Sequence, residues 1–220
     1  MNHIFDRAME YILNGDPNIV DEYGNTQLMR ASNKGHIEKV KLLLDRGADP
    51  NFQNEYGRTA LMCASLFGST DIVKLLLARG ADSNIVAKNG GTALLYASNK
   101  GHIEKVKLLL DRGADPNFQN EYGRTALMCA SECGHTDIVR LLLDRGSNPN
   151  ILDEYDKTAI MWASRYGYRN IIELLLDKGS DINFVDKFGQ TAIMQASQYG
   201  YHGIVKVIND HNDHIALANA

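Results

Sequence analysis

The sequence predicts an all-α repeat protein: an α-solenoid of one N-terminal half-repeat and six 33-residue helix-pair repeats joined by β-hairpin-like loops. Three observations carry this. Residues Ala31–Ser65 and Ala97–Ser131 are the same 35 residues, 66 positions apart. Thr26, Thr59, Thr92, Thr125, Thr158 and Thr191 mark a shorter period of 33 without a slip. An aliphatic run such as Leu75-Leu76-Leu77 returns at one place in each repeat, until it becomes Val205-Lys206-Val207-Ile208. A fixed period of this size means stacked small units rather than one globular core. Recognition in such a stack is spread over side chains that line a shared surface.

The period sets the boundaries. A degenerate cap covers 1–21, where Ile12-Leu13-Asn14-Gly15-Asp16-Pro17-Asn18 echoes Leu43 to Asn51 with two residues missing. Repeats follow over 22–54, 55–87, 88–120, 121–153 and 154–186. A last repeat with its C-terminal cap fills 187–220, and the whole reads as one domain over 1–220. Within one repeat, Glu55-Tyr56-Gly57-Arg58 is a polar turn in which Gly57 supplies a positive φ. Thr59 reads as an N-cap, its hydroxyl accepting a free backbone N–H. Ala60 to Ser65 then forms a short helix stopped near Gly68. A second helix opens at Ser69-Thr70-Asp71, with a carboxylate against its positive end. Ile72, Val73, Leu75, Leu76 and Leu77 make it apolar nearly all round, so it lies buried between neighbours. Gly80 ends it as a left-handed cap. Ala64 and Ser65 are small enough for close helix approach. At the far end, Asn209 to His214 reads as a polar closing segment.

Bulk properties narrow the function. Net charge is −4, with 23 basic and 27 acidic residues well mixed, against the basic stripe that nucleic-acid binding needs. No run of about 18 apolar residues marks a membrane span. The N-terminus lacks the apolar core of a signal peptide. Cys63 and Cys129 are two repeats apart, roughly 20 Å at helix-layer spacing and too far for a disulfide. Cys129 and Cys133 are a poor zinc pair. These features point to a reducing, cytoplasmic setting. There is no Gly-x-Ser-x-Gly, no phosphate-binding glycine loop, no His-Glu-x-x-His and no singular Cys/His pair. No catalytic role, cofactor or metal is expected. His211 and His214, beside Asp210 and Asp213, read as a polar tail rather than a metal site. His36, His102 and His135 hold one repeat position and read as structural.

The pattern Gly-x-Thr-x-Leu-x-x-Ala, then Gly-His-x-x-x-Val, then Leu-Leu-Leu-x-x-Gly-Ala-Asp-x-Asn resembles the ankyrin repeat over nearly the whole chain. The near-identical copies also resemble arrays of large amoeba-infecting DNA viruses and of intracellular bacterial effectors. The family resemblance implies paired antiparallel helices, outward hairpins and a concave face that binds partner proteins. One departure is systematic: Thr-Pro-Leu-His is replaced by Thr-Ala-Leu-Met at Thr59–Met62 and Thr125–Met128. Met fills space as an adaptable apolar side chain where His would hydrogen-bond. The resemblance further implies that hairpin asparagines with Leu eight residues upstream are candidates for hydroxylation: Asn51, Asn84, Asn117, Asn150 and Asn183. The same asparagines also suit a purely turn-holding role.

Candidate contacts follow from alignment onto that pattern. The third turn position reads Tyr23, Tyr56, Asn89, Tyr122, Tyr155, Phe188. Such rings serve as interface anchors, or pack on the neighbouring hairpin. The mid-helix position varies as Arg30, Cys63, Tyr96, Cys129, Trp162, Gln195, and the helix exit brings Phe67, Arg165, Tyr166 and Tyr199. The partner-binding set is thus Tyr56, Arg58, Phe67, Tyr96, Tyr122, Arg124, Tyr155, Trp162, Arg165, Tyr166, Phe188 and Tyr199. Trp162 with Tyr155, Arg165 and Tyr166 around it is the expected hot spot; a Trp tucked between helices is the alternative. Turn and exit positions carry Lys34, Arg58, Lys88, Lys100, Arg124, Lys157, Arg165 and Lys187 against Glu22, Glu55, Glu121, Glu132 and Glu154, eight cations to five carboxylates. A partner segment that is acidic, with aromatic or aliphatic anchors, would suit that face. The reading is a monomeric protein-interaction scaffold. Its rivals are a substrate-targeting subunit for machinery such as a ubiquitin ligase, and a self-assembling structural protein.

Overall fold

A computed structural model describes residues 16–218. These hold twelve helices: α1 Gln27–Lys34, α2 Ile37–Asp45, α3 Ala60–Leu66, α4 Thr70–Ala78, α5 Ala93–Asn99, α6 Ile103–Asp111, α7 Ala126–Glu132, α8 Thr136–Asp144, α9 Ala159–Tyr166, α10 Arg169–Asp177, α11 Ala192–Gln198 and α12 His202–Ala218. The one strand-like pairing among the described residues is an antiparallel bridge between Val20 and Thr26. The architecture is the expected all-α repeat class. Residues 1–15 of the N-terminal cap lie outside the described part.

Helices of seven to nine residues are marginal alone, so their ends and packing must hold them. At the start of α1, α3, α7 and α11, the hydroxyls of Thr26, Thr59, Thr125 and Thr191 accept the N–H three residues on, at 3.2–3.3 Å. Thr158 has the same extended backbone before α9, yet its hydroxyl makes no cap bond and is buried without a partner. At the end of α4, Ala81 N–H reaches Leu76 O at 3.0 Å and Gly80 N–H reaches Leu77 O at 3.4 Å. That is a Schellman cap, and Gly80 takes the φ of +86° it needs.

The chain divides into two compact units, residues 1–93 with 111–113 and residues 94–110 with 114–220. In the first, α1 packs on α2 and α3, α3 on α4, and α2 on α4. Leu28, Val40, Leu61, Ile72 and Leu76 form its core, each at most 1% exposed. In the second, α7 packs on α8 and α9, α9 on α10 and α11, and α8 on α10. Leu127, Val139, Leu142, Ile160 and Leu175 fill that core. Each such side chain contributes about 1.5–3 kcal/mol by leaving water. Met29, Met62, Met128 and Met161 are buried where the family pattern places His. Met194, in the same position, is 53% exposed, because no further repeat follows it among the described residues.

Hairpin asparagines tie successive loops. In the first unit Asn51 Nδ2 donates to Gly80 O at 3.0 Å and its Oδ1 accepts Asp82 N–H at 2.7 Å. In the second, Asn117 and Asn150 repeat both bonds with Gly146, Asn148, Gly179 and Asp181. The polar closing segment Asn209 to His214 lies inside α12, a helix of 17 residues. No Gly or Pro interrupts Ile204 to Ala218, and buried Ile204 and Ile208 anchor one side of the helix, which packs on α10 and α11.

Thr125→Val removes a cap bond and is expected to lower stability by about 1 kcal/mol. Thr158→Val removes a hydroxyl that has no partner and should be neutral or slightly stabilising. Urea midpoints measure both; equal losses would mean that Thr158 caps α9 after all.

Candidate partner-binding site

Five of the six hairpins are built around one side-chain oxygen at the first turn position; the sixth has Ala87 there. Oδ1 of Asp21, Asn54, Asn120, Asp153 and Asp186 accepts the N–H groups two and four residues on, all at 2.8–3.0 Å. The residue two on is the aromatic of the turn. With its backbone held, its ring projects: Tyr23, Tyr56, Tyr122, Tyr155 and Phe188 are 45–68% exposed. The fourth turn residue needs a positive φ, met by glycine at Gly24, Gly57, Gly123 and Gly189 and by Asp156 at +60°. Adjacent hairpins also bond through the backbone. In the second unit Glu154 N–H donates to Tyr122 O at 2.9 Å and Lys187 N–H to Tyr155 O at 3.0 Å. Tyr155 and Phe188 thereby stack, with centroids 6.1 Å apart.

The helix side of the second unit carries the densest cluster. Helical side chains lean toward the N-terminus, so Trp162 lies back over the hairpin that precedes α9. Its indole N–H donates to Asp153 Oδ2 at 2.9 Å. The Arg124 guanidinium lies over the indole at 4.6 Å and the Lys157 ammonium at 5.0 Å. Lys157 Nζ also stands 3.8 Å from Asp186 Oδ2 and 5.7 Å from the Phe188 ring. Gln195 Nε2 donates to Asp186 Oδ2 at 3.0 Å. Arg124 in turn pairs with Glu132. Asp153, Lys157 and Asp186 are all buried, where each charge needs such partners.

The expected hot spot therefore has different members. Arg165 lies over Tyr199 at 5.5 Å, and Tyr166 stacks on Tyr168 at 6.3 Å. Arg124, Lys157 and Asp153 build the surroundings of Trp162 instead. Sequence alignment missed Asp153 and Asp186, and left Gln195, named in the mid-helix series, out of the partner-binding set. A signal was present: the turn acid and the helix residue nine positions on pair as Asp21–Arg30, Asp153–Trp162 and Asp186–Gln195, each joining a carboxylate to a nitrogen donor. Where the helix residue is Cys63 or Cys129, the turn carries Asn54 or Asn120.

These turn acids also revise the charge tally. Asp21 brings the first unit to three carboxylates against three of the counted cations. Asp153, Asp156 and Asp186 bring the second to six against five. With Arg30, the partner of Asp21, the first unit carries four cations to three carboxylates, and Asp21, Glu132 and Asp186 each pair locally with a cation.

Other candidates fall as follows. Tyr56, Arg58, Phe67, Tyr122, Tyr155, Tyr166, Phe188 and Tyr199 are exposed, and Tyr96, Arg124, Trp162 and Arg165 half-buried. Asn51, Asn84, Asn117 and Asn150 each donate their carboxamide to a glycine carbonyl one repeat on. Asn183 bonds only its own Asp181. Burial pushes the Cys63 and Cys129 thiols up to about 11, and raises Cys133 as well. Neither Cys63 nor Cys129 offers a thiolate nucleophile at neutral pH.

Helix pairs, glycine-capped ends and aromatic hairpin tips together define a tandem-repeat protein of the all-α solenoid class. The chain belongs to the ankyrin-repeat family: it matches the family described as Ankyrin repeats (3 copies) over residues 2–87, 80–153 and 145–219. No curated protein matches the chain at a significant level. Ankyrin repeats are in general protein–protein interaction modules and typically non-catalytic. Among the described residues, no helix is long and apolar enough to cross a membrane.

Asp153→Asn keeps the turn acceptor but removes the anionic acceptor of the only tryptophan. Its emission should shift, with a stability loss of about 1–3 kcal/mol; unchanged fluorescence and urea midpoint would disprove the coupling. Thiol titration supplies a second check. With Cys63 and Cys129 raised to about 11, thiolate is scarce at pH 8, so alkylation of these two cysteines in the folded chain, located by peptide mass, should be slow there. Its rate should climb about tenfold per pH unit toward that value; fast alkylation at pH 8 without unfolding would contradict the burial.

Proposed function

We propose that this chain is a non-catalytic scaffold that binds another protein through its hairpin rings and the outward side of its first helices. The observation that carries this is the exposure of the hairpin aromatics. Tyr56, Tyr122, Tyr155 and Phe188 stand in solvent at 54, 49, 45 and 68%, although each is held by fixed turn bonds. Recurring exposed rings at repeat spacing serve docking rather than the core. The Trp162 cluster supports the same use: a half-buried indole with cations over it resembles the Trp and Arg anchors that dominate interfaces. The matching partner segment offers aromatic or aliphatic anchors with acidic groups beside them, meeting individual cations such as Arg58, Arg124 and Arg165. The three free cysteines support a reducing, cytoplasmic setting, and the protein acts as a monomer.

Hydroxylation of the hairpin asparagines falls first on Asn183, whose carboxamide donates to Asp181 Oδ1 and, among the described residues, to no carbonyl of a following loop. An asparaginyl hydroxylase assay read by peptide mass should find oxygen added there before Asn51 or Asn117.

Affinity capture with the wild-type chain against Trp162→Ala plus Tyr166→Ala tests the scaffold reading. Recovery of the bound protein should fall at least about tenfold. Equal recovery by both would remove this surface as the docking site.

A further inference from the structure

Cys63 stands three repeats before Trp162, at the same helix position. Its short side chain ends where an indole would continue, and the space is open. A cavity of about 320 Å³ lies there in the first unit, lined by Cys63 with Tyr23, Tyr56, Phe67, Arg30 and Arg58. This is at the lower end of ligand-pocket volumes, suited to one side chain rather than a cofactor. The three rings are 52, 54 and 62% exposed. Arg58 holds the register position that Lys157 holds against Trp162, and Arg30 that of Cys129. Arg30 reaches Asp21 at 3.6 Å with its side chain 55% exposed. The Arg58 side chain takes part in no ion pair or hydrogen bond among the described residues.

We infer that this cavity receives an aromatic side chain of a partner protein, with a carboxylate beside it in the partner's sequence. The inference rests on the protein-binding reading and assigns that partner its chemistry. The second unit supplies the template: in the same register, the chain fills the place with its own indole beneath an arginine and a lysine. In the first unit Arg58 stands for Lys157, Asn25 occupies the register position of Arg124, Arg30 supplies a second cation from the neighbouring helix, and no ring fills the place. An incoming ring completes the cation–π contacts, and its neighbouring carboxylate meets the guanidinium of Arg58, which has no acid partner among the described residues. Desolvation under Tyr56 and Phe67 strengthens both contacts.

The test uses the full chain, ¹⁵N-labelled, titrated with the blocked peptide Ac-Glu-Trp-Glu-NH₂. Amide shifts should cluster at Arg30, Tyr56, Arg58 and Cys63. Ac-Glu-Ala-Glu-NH₂ and Ac-Lys-Trp-Lys-NH₂ should each bind at least about tenfold more weakly. Cys63→Trp, which fills the cavity from within, should abolish the response, and Arg58→Ala should weaken it about fivefold. A melting curve identifies any variant that fails to fold, and Cys63→Leu then serves as a smaller plug. Shifts that persist in the plugged variant, or gather only near Trp162, overturn the cavity while leaving the scaffold reading intact. Equal response to the lysine peptide overturns the carboxylate requirement, and silence toward all three peptides overturns the site. Failure of the scaffold reading is read separately, by undiminished capture in the Trp162 variant.

Discussion

In five hairpins a single side-chain oxygen accepts two backbone N–H groups, two and four residues beyond its own residue. The placement of the aromatic ring in each of these five hairpins depends on this. A hairpin of this length has backbone donors that no helix or strand satisfies, and leaving them unpaired would cost free energy in every repeat. Satisfying them locally fixes the turn, and the fixed turn sets where its aromatic ring projects. Because the acceptor belongs to the turn itself, a neighbouring helix position can change from Cys to Trp without moving the tip.

The second oxygen of the same residue is what makes repeats differ. In Asn54 the other atom is a nitrogen, and it donates to Asn25 Oδ1 at 2.7 Å. In Asp153 and Asp186 it is a second oxygen, which gathers Trp162, Lys157 and Gln195. A one-atom change in the turn thus decides whether the following helix presents an anchored polar cluster or leaves room beside a cysteine. Structural necessity and recognition share one residue.

Much of the fold was legible because its causes are local. The threonine caps, Gly80 with its positive φ and the all-round apolar second helices follow from neighbours within a few positions. The surroundings of Trp162 were not legible in the same way. Arg124 lies 38 positions earlier in the chain, and only stacking brings the two together. Arg165 and Tyr166, three and four positions on, seemed the natural neighbours by helical spacing, but the indole is drawn back by Asp153. The charge tally from turn and helix-exit positions left out Asp21, Asp153 and Asp186, which serve as turn acceptors, and Asp156, which holds the positive-φ position. The polar segment Asn209 to His214 continues a helix because no breaker interrupts it and Ile208 anchors it.

Glycine plays one more part at the junctions. A Cβ on Gly101, Gly134 or Gly167 would come within 2.7 Å of the ring of His135, Tyr168 or Tyr201 respectively. Each of these three joints is thus a hole in one repeat and a plug in the next, whereas a Cβ on Gly35, at the same repeat position, would meet nothing within 4 Å. Histidine and tyrosine serve alike as the plug, since the hole tests for flatness rather than chemistry. A segment copied in phase carries a hole at its trailing edge and a plug at its leading edge, and so mates with whatever flanks it. The 66-residue spacing of the identical copies is two whole joints. Such an array lengthens by duplication without inventing a new seam, while copies of other lengths leave a plug facing solid backbone.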